Sequence, residues 1–381
     1  MKKFISIIIA IILAVTMNFY VFGVENSVSA KSAILINADT LEILYSKNSN
    51  MKMPMASTTK IMTAIIALEH GVSDELVTVT EDMINVEGSS MGLMAGDSVS
   101  TMTLVKGLML KSGNDAANAL ANIIGSSYED FVNLMNLKAK ELSLVNTHFE
   151  TPSGLHNDNH YSTCYDMAKL TAYALKNKEF CDICSSKEEF VYYGNPPYRR
   201  KLVNHNKFLS MYDGAIGVKT GFTKKSGRCL VTAVKRDNIT LIAVTLNAPN
   251  DWDDHKKMYD DVFNKYNFTK LNTDLKLNLK VVGGDKSFIP LKIKDNVVYS
   301  HLDDKIKYNY LIYCKNFEYA PIKKGESVGK IIYYNEKKEM IGESQIVADD
   351  SVNIKLENNK TKTKSFLKYI KEMFRWIYVR K

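Results

Sequence analysis

Ser57 and Lys60 stand three residues apart at the head of an apolar run, in the stretch MASTTKIMTA of residues 55 to 64. On a helix this spacing puts both side chains on one face, about a turn apart. An unperturbed serine hydroxyl is a weak nucleophile and needs a base within hydrogen-bond reach. Lys60 can be that base only when neutral, which requires burial or a nearby positive charge to bring it down from about 10.4. S-x-x-K alone says little, because the chain repeats it from Ser49 to Lys52, from Ser327 to Lys330 and from Ser365 to Lys368. Ser57 differs in its context. Pro54 lies just upstream, Ile61, Ile65 and Leu68 can pack the helix behind it, and Gly71 can end it. The competing reading is an ordinary serine at a helix start. Two further motifs weigh against that: Ser112-Gly113-Asn114 between two helical runs, and Lys219-Thr220-Gly221 on a strand punctuated by glycine.

The elements that must hold these motifs follow from periodicity. AILIN and LEILYS read as a hairpin about Ala38-Asp39-Thr40, and helices follow over about 57–69, 101–111, 115–124, 128–143 and 163–176. GAIGVKTG, RCLVTAVKR and ITLIAVTLN are β-rich, the last two joined at Asp237-Asn238. Strands at both ends with helices between them predict an α+β domain over 31–268, its antiparallel sheet built from both ends. Residues 271–350 show only short alternating strands with Gly-Gly, Asp-Asn and Lys-Lys-Gly turns, which predicts a small all-β domain, a β-sandwich.

S-x-x-K, S-x-N about 55 residues on and K-T-G about 160 residues on form, in that order, the signature of penicillin-recognising serine acyl-enzymes. With the segments GSSMGLMAGD, LMLKSGNDAANALA, LVNTHFETPSGLHNDNHYSTCYDMA and GVKTGFTKKSGRCLV, the chain resembles the serine-type D-alanyl-D-alanine carboxypeptidases of the peptidase S11 family. These are low-molecular-mass penicillin-binding proteins that trim peptidoglycan stem peptides. The resemblance covers nearly the whole chain and implies a β-lactamase/transpeptidase-like catalytic domain with no metal and no cofactor. It implies peptidoglycan stem peptides as substrate and β-lactams as inhibitors.

On this resemblance Ser57 is the nucleophile and Lys60 the general base, with Lys219 beside them supplying positive charge. Ser112 is a proton relay towards the leaving amine. Asn114 suits a substrate amide, Lys219 and Thr220 suit the terminal carboxylate, and Gly221 lets a substrate strand approach. The backbone N–H groups of Ser57 and Phe222 form the oxyanion hole. Phe222 is bulkier than many residues found after K-T-G in the family, but a backbone donor survives any side chain. Two other readings remain. A class A β-lactamase shares the serine, lysine and K-T-G, but the middle motif here is S-G-N, and no Glu between Ser112 and Lys219 sits in an E-x-x-L-N setting. A silent binding protein would retain the fold without the chemistry.

The two ends point to export. Met1-Lys2-Lys3, the apolar run from Phe4 to Val15 and the small residues Val28-Ser29-Ala30 read as a signal peptide over 1–30; an uncleaved anchor is the alternative. The formal net charge is +8, yet residues 361–381 hold seven Lys or Arg against Glu372 alone, so the body is nearly neutral. Lys364, Lys368, Lys371 and Arg375 fall on one helical face, with Phe366, Ile370, Met373, Phe374, Trp376 and Ile377 elsewhere. That pattern predicts an amphipathic helix at an anionic membrane surface, outside the cytoplasmic membrane, and no nucleic-acid partner. The five cysteines are scattered and odd in number, so they form no disulfide framework, and Cys181-Asp-Ile-Cys184 lacks the second pair a zinc site needs. His148, His156 and His160 straddle Pro152 and Gly154, which suits a loop bordering the site better than a metal cluster.

Overall fold

The structure is a computed structural model that describes residues 28–355 apart from 126, 238, 272–276 and 303–305. The leader expected over 1–30, save its last three residues, and the amphipathic helix expected over 361–381 lie outside the described residues. Among the described residues no helix is long and apolar enough to cross a membrane. The chain divides into two units, one running to Phe268 with a short return at Ser300, the other beginning at Thr269.

In the first unit, β1 (Ser32–Asn37) and β2 (Ile43–Lys47) form the expected hairpin. Helices α1 (Lys60–Glu69), α2 (Thr101–Leu110), α3 (Asn114–Ile124), α4 (Tyr128–Glu141) and α5 (Cys164–Ala174) follow. Then come β3 (Ala215–Thr223), β4 (Gly227–Arg236), β5 (Ile239–Leu246) and α6 (Asp251–Lys265). The sheet runs β2-β1-β5-β4-β3, antiparallel throughout, so strands from the two ends of the unit meet at β1 and β5. This is the α+β arrangement that the strand and helix order predicts.

β4 and β5 read as nearly continuous apolar runs because helices cover both faces of the sheet. Ile34, Ile36, Val231, Ala233, Ile242 and Val244 join the core that holds Ile61, Ile65 and Leu68 of α1. On the opposite face Thr232 and Thr245 meet His255 of α6 at 2.7 and 3.0 Å, and the Tyr259 hydroxyl accepts the Ala243 N–H at 3.1 Å. α1 is buried at nine of its ten positions, all but Glu69. It ends where Gly71 takes φ +87°, a conformation open to glycine without strain. Ser100, Ser127 and Thr163 cap α2, α4 and α5 by accepting the backbone N–H three residues on.

Several elements escape the sequence pattern, among them the short helix Lys178–Ser185 and two larger ones. One is the hairpin of Glu188–Gly194 with Pro197–Val203; the other is α6 itself. The buried positions of α6 are Asp251, Asp254, His255, Met258, Tyr259 and Val262, four of the six polar, so apolar periodicity is weak there. The second unit is all β: β6 (Leu277–Val282), β7 (Phe288–Ile293), β8 (Tyr308–Cys314), β9 (Phe317–Tyr319), β10 (Ser327–Asn335) and β11 (Met340–Ala348). These strands form one six-stranded sheet in the order β8-β10-β11-β7-β6-β9, and Leu271 and Val297, from a separate strand pair (Asn267–Leu271 with Val297–His301), join its core. The pairing of Leu291–Ile293 with Ile346–Ala348 joins the β6–β7 hairpin to the β10–β11 hairpin.

Candidate active site

Ser57 lies in a 3-10 turn, Ala56–Thr59, and Lys60 opens α1, where the sequence predicts one helix over both. The spacing still brings them together: Lys60 Nζ is 2.9 Å from Ser57 Oγ. Nζ also donates to Asn114 Oδ1 at 2.7 Å and to the Ser153 carbonyl at 2.6 Å. Both of those oxygens can only accept, so they take two N–H groups and leave the third position of the nitrogen to Ser57. A neutral amine in this place has its lone pair aimed at the Ser57 hydroxyl proton. Lys60 is fully buried, and burial first, then the Lys219 charge, bring it well below the usual lysine range against the opposing pull of Asp115.

The turn carrying Ser57 is strained and tightly supported. Ala56 has φ +48°, a left-handed conformation that costs a non-glycine residue about 1 kcal/mol or more. Its carbonyl accepts the Thr59 hydroxyl at 2.8 Å. Thr59 Oγ1 in turn accepts from His160 Nε2 at 2.7 Å, because His160 Nδ1 is occupied by the Glu150 N–H at 2.9 Å. Burial lowers His160 to about 3, so the ring is neutral in this role. Gly154 closes against the same turn; a Cβ there would stand 2.0 Å from the Ala56 oxygen. His148 and His156 pair instead with Glu150 and Asp158, so of the three histidines only His160 supports the turn that carries Ser57.

The K-T-G strand, β3, runs beside this turn. A Cβ on Gly221 would lie 3.0 Å from the Ser57 nitrogen and 3.2 Å from both Ala56 Cβ and the Met55 oxygen, so any larger residue would have to push β3 and the turn apart by a few tenths of an ångström. Lys219 is buried, donates to the Thr220 carbonyl at 3.1 Å, and is lowered by burial to about 7. Ser112 sits in the loop between α2 and α3 with φ +56° and lines the cleft, but Lys60 does not reach it. Asn114 is buried with its oxygen on Lys60 and its amide on the Glu87 carbonyl at 2.6 Å; each end retains one unused hydrogen-bonding position. Asp115 gathers the Met91, Gly92 and Leu93 N–H groups and the Ser90 hydroxyl, which fixes the loop after Ser89 at the cleft edge.

The cleft measures about 370 Å³ and is lined by Ser57, Ser112, Thr220, Gly221 and Phe222. Sequence reading missed six more lining residues, Ser89, His205, Lys207, Arg228, Asp251 and Trp252. Arg228 pairs in register with Phe222 across β3 and β4, and its Nε and Nη2 bind Asp251 Oδ1 at 2.9 and 2.7 Å. Its position opposite a K-T-G neighbour is the one signal that could have found it. Cys181 and Cys184 each send their thiol to a backbone carbonyl, and all five cysteines are free. Among the described residues no group of His, Cys, Asp and Glu could hold a metal ion.

Comparison with known proteins agrees with this geometry. Residues 21–250 match the family model described as D-alanyl-D-alanine carboxypeptidase, and residues 263–354 match that of the penicillin-binding protein 5 C-terminal domain. The D-alanyl-D-alanine carboxypeptidase DacF of Bacillus subtilis is 34% identical over 336 residues, 85% of this chain and 86% of its own. Among solved structures, penicillin binding protein 5 from Haemophilus influenzae superposes with a TM-score of 0.67 at 28% identity, covering 86% of this chain and 98% of that one. The Streptomyces K15 DD-transpeptidase superposes with a TM-score of 0.59 at 33% identity, over 62% of this chain and 97% of its own. The chain belongs to the D-alanyl-D-alanine carboxypeptidase family and is a serine hydrolase of the penicillin-binding-protein type.

Proposed function

We propose that this enzyme removes the terminal D-alanine of peptidoglycan stem peptides through an acyl-enzyme on Ser57, and that β-lactams acylate the same oxygen. The observation that carries the reading is Lys60: buried, held by two carbonyl-type acceptors and left with one direction of action, towards Ser57. As Ser57 Oγ attacks the penultimate D-alanine carbonyl, Lys60 takes its proton. The tetrahedral oxyanion is received by the Ser57 and Phe222 N–H groups, the first at the start of a helical turn whose N–H groups lack intrahelical acceptors. Once Ser57 is acylated, Lys60 turns from it to Ser112 and returns the proton through the Ser112 hydroxyl to the departing amine; neutral again, it takes a proton from the water that hydrolyses the ester and gives it back to Ser57. Lys219, Thr220 and Arg228 take the substrate carboxylate, Gly221 admits its backbone, and Asn114 holds Lys60 while offering its remaining N–H to a peptide amide.

A carboxylate arriving beside Lys219 favours its charged form, and that charge depresses Lys60 further, so substrate binding itself prepares the base. The leader over 1–30 exports the chain, a catalytic domain of 31–268 and a β domain of 271–350 follow, and residues 361–381 hold the enzyme at the outer, anionic face of the membrane. The test is mass spectrometry after brief exposure to penicillin, alongside D-alanine release from a peptide ending in D-Ala-D-Ala. A lasting adduct on Ser57 with D-alanine release is expected, and Ser57→Ala should lose both. Rapid loss of the adduct with penicillin turnover would mean a β-lactamase, and no adduct would mean a silent relative.

A further inference from the structure

The outward face of β6, β7 and β9 carries aromatic and apolar side chains where a solvated sheet face would be polar. Cross-strand register places Phe288, Lys280 and Phe317 in one row over three strands, and Val282 opposite Tyr319 in the next. Phe288, Phe317 and Tyr319 are 60%, 46% and 64% exposed, and the Phe317 and Tyr319 rings stand 5.5 Å apart. The chain leaves the unit at this patch. Ile354, 57% exposed, bridges to Gly284, and the Lys355 N–H donates to the Gly283 carbonyl at 2.9 Å, directly after Val282. Eleven residues later, at most about 40 Å of extended chain, the basic, aromatic-rich run from Phe366 begins.

We propose that this face is a second membrane-contacting element, resting in the interface of the anionic bilayer that the C-terminal segment reaches. The inference rests on reading residues 361–381 as membrane-seeking. A contiguous exposed apolar patch marks an interaction surface, and Tyr and Phe beside Lys are the side chains an anionic lipid interface receives. Lys280 stands in the middle of the aromatic row and forms no ion pair with a described residue. A basic tail gains nothing from a patch centred on a lysine, whereas an anionic surface is complementary to both. Once the tail is bound, the patch lies within a tether's length of the same surface, so a weak contact is strengthened by proximity.

The experiment is co-sedimentation of the chain lacking residues 1–27 with vesicles of 30% phosphatidylglycerol in phosphatidylcholine. It compares wild type, the triple variant Phe288→Ser, Phe317→Ser, Tyr319→Ser, the single variant Lys280→Glu and a truncation after Lys355. Triple-variant binding about tenfold weaker than wild type is expected, with Lys280→Glu weaker by a factor of about three and more so at low salt. D-alanine release and circular dichroism should be unchanged, and Lys280→Glu, at an exposed position, keeps the test valid if the triple variant misfolds. Wild-type binding by the triple variant and by Lys280→Glu, with binding lost on truncation, overturns the patch and leaves the tail reading standing. Absence of wild-type binding overturns the tail reading and the patch with it. Tighter binding by the triple variant would mean that the tail itself docks on the patch, and also overturns the proposal.

Discussion

Replacing Lys219 by methionine should make the first unit more stable and the enzyme inactive. The side chain is 1% exposed and burial brings its ammonium from 10.5 to about 7. The unfolded chain binds this proton up to about 10.5 and the folded chain only up to about 7. Between those values the unfolded state holds more protons, so stability rises with pH, and below pH 7 the whole cost of the buried charge is present. At about 1.4 kcal/mol per pH unit, the gap from 10.5 to 7 corresponds to a cost of about 5 kcal/mol. Methionine fills similar space without charge. At pH 6 Lys219→Met should therefore unfold at higher urea, by several kcal/mol, and its advantage should shrink by about 1.4 kcal/mol per unit between pH 7 and 9. Subtracting the wild-type curve removes the buried thiols of Cys164 and Cys229, raised to about 12 and about 11, which lower stability above pH 9 in both proteins. D-alanine release should be lost throughout. A variant less stable than wild type at pH 6, or a difference that stays flat from pH 7 to 9, refutes the reasoning.

Gly221→Ala pushes a methyl into the Ser57 nitrogen at 3.0 Å and should lower kcat/KM by about a hundredfold, since small displacements of reacting groups are costly; near wild-type acylation by penicillin would show that β3 can retreat. Arg228→Gln should raise KM for D-Ala-D-Ala peptides by about tenfold with kcat little changed, and an unchanged KM would remove Arg228 from carboxylate binding. His160→Phe leaves the Glu150 N–H without an acceptor and should cost about 1–3 kcal/mol in urea unfolding, while wild-type activity shows no titration from His160 between pH 5 and 8; an activity step near pH 6.5 lost in the variant would assign the ring an acid-base role instead.

What the sequence reveals of this site depends on whether a residue acts by its type or by its place. Ser57, Lys60, Ser112, Asn114 and K-T-G are legible because few residue types can attack, accept a proton or bind a carboxylate, and the motifs keep them at fixed spacing. Ser153 is illegible for the opposite reason: it holds Lys60 through a backbone carbonyl that any residue owns. Gly154 and His160 shape the turn at Ala56 across about a hundred residues of chain, a closure that no local pattern records. Arg228 needed the register of β3 on β4 before it could be placed beside Phe222. In the fold, the strands from the two ends of the first unit are readable from their apolar runs, whereas α6 hides its face in His255 and Tyr259, and the joining of the two β-domain hairpins rests on the register of Leu291–Ile293 with Ile346–Ala348. The electrostatics follow the same division. A lysine three residues after a serine is a statement of sequence, but its use as a base depends on two lysines being buried together, and that burial comes from α1 meeting a sheet whose strands are joined from both ends of the unit. On the proposed mechanism, the proton that makes Ser57 reactive is thus controlled by the most non-local feature of the fold.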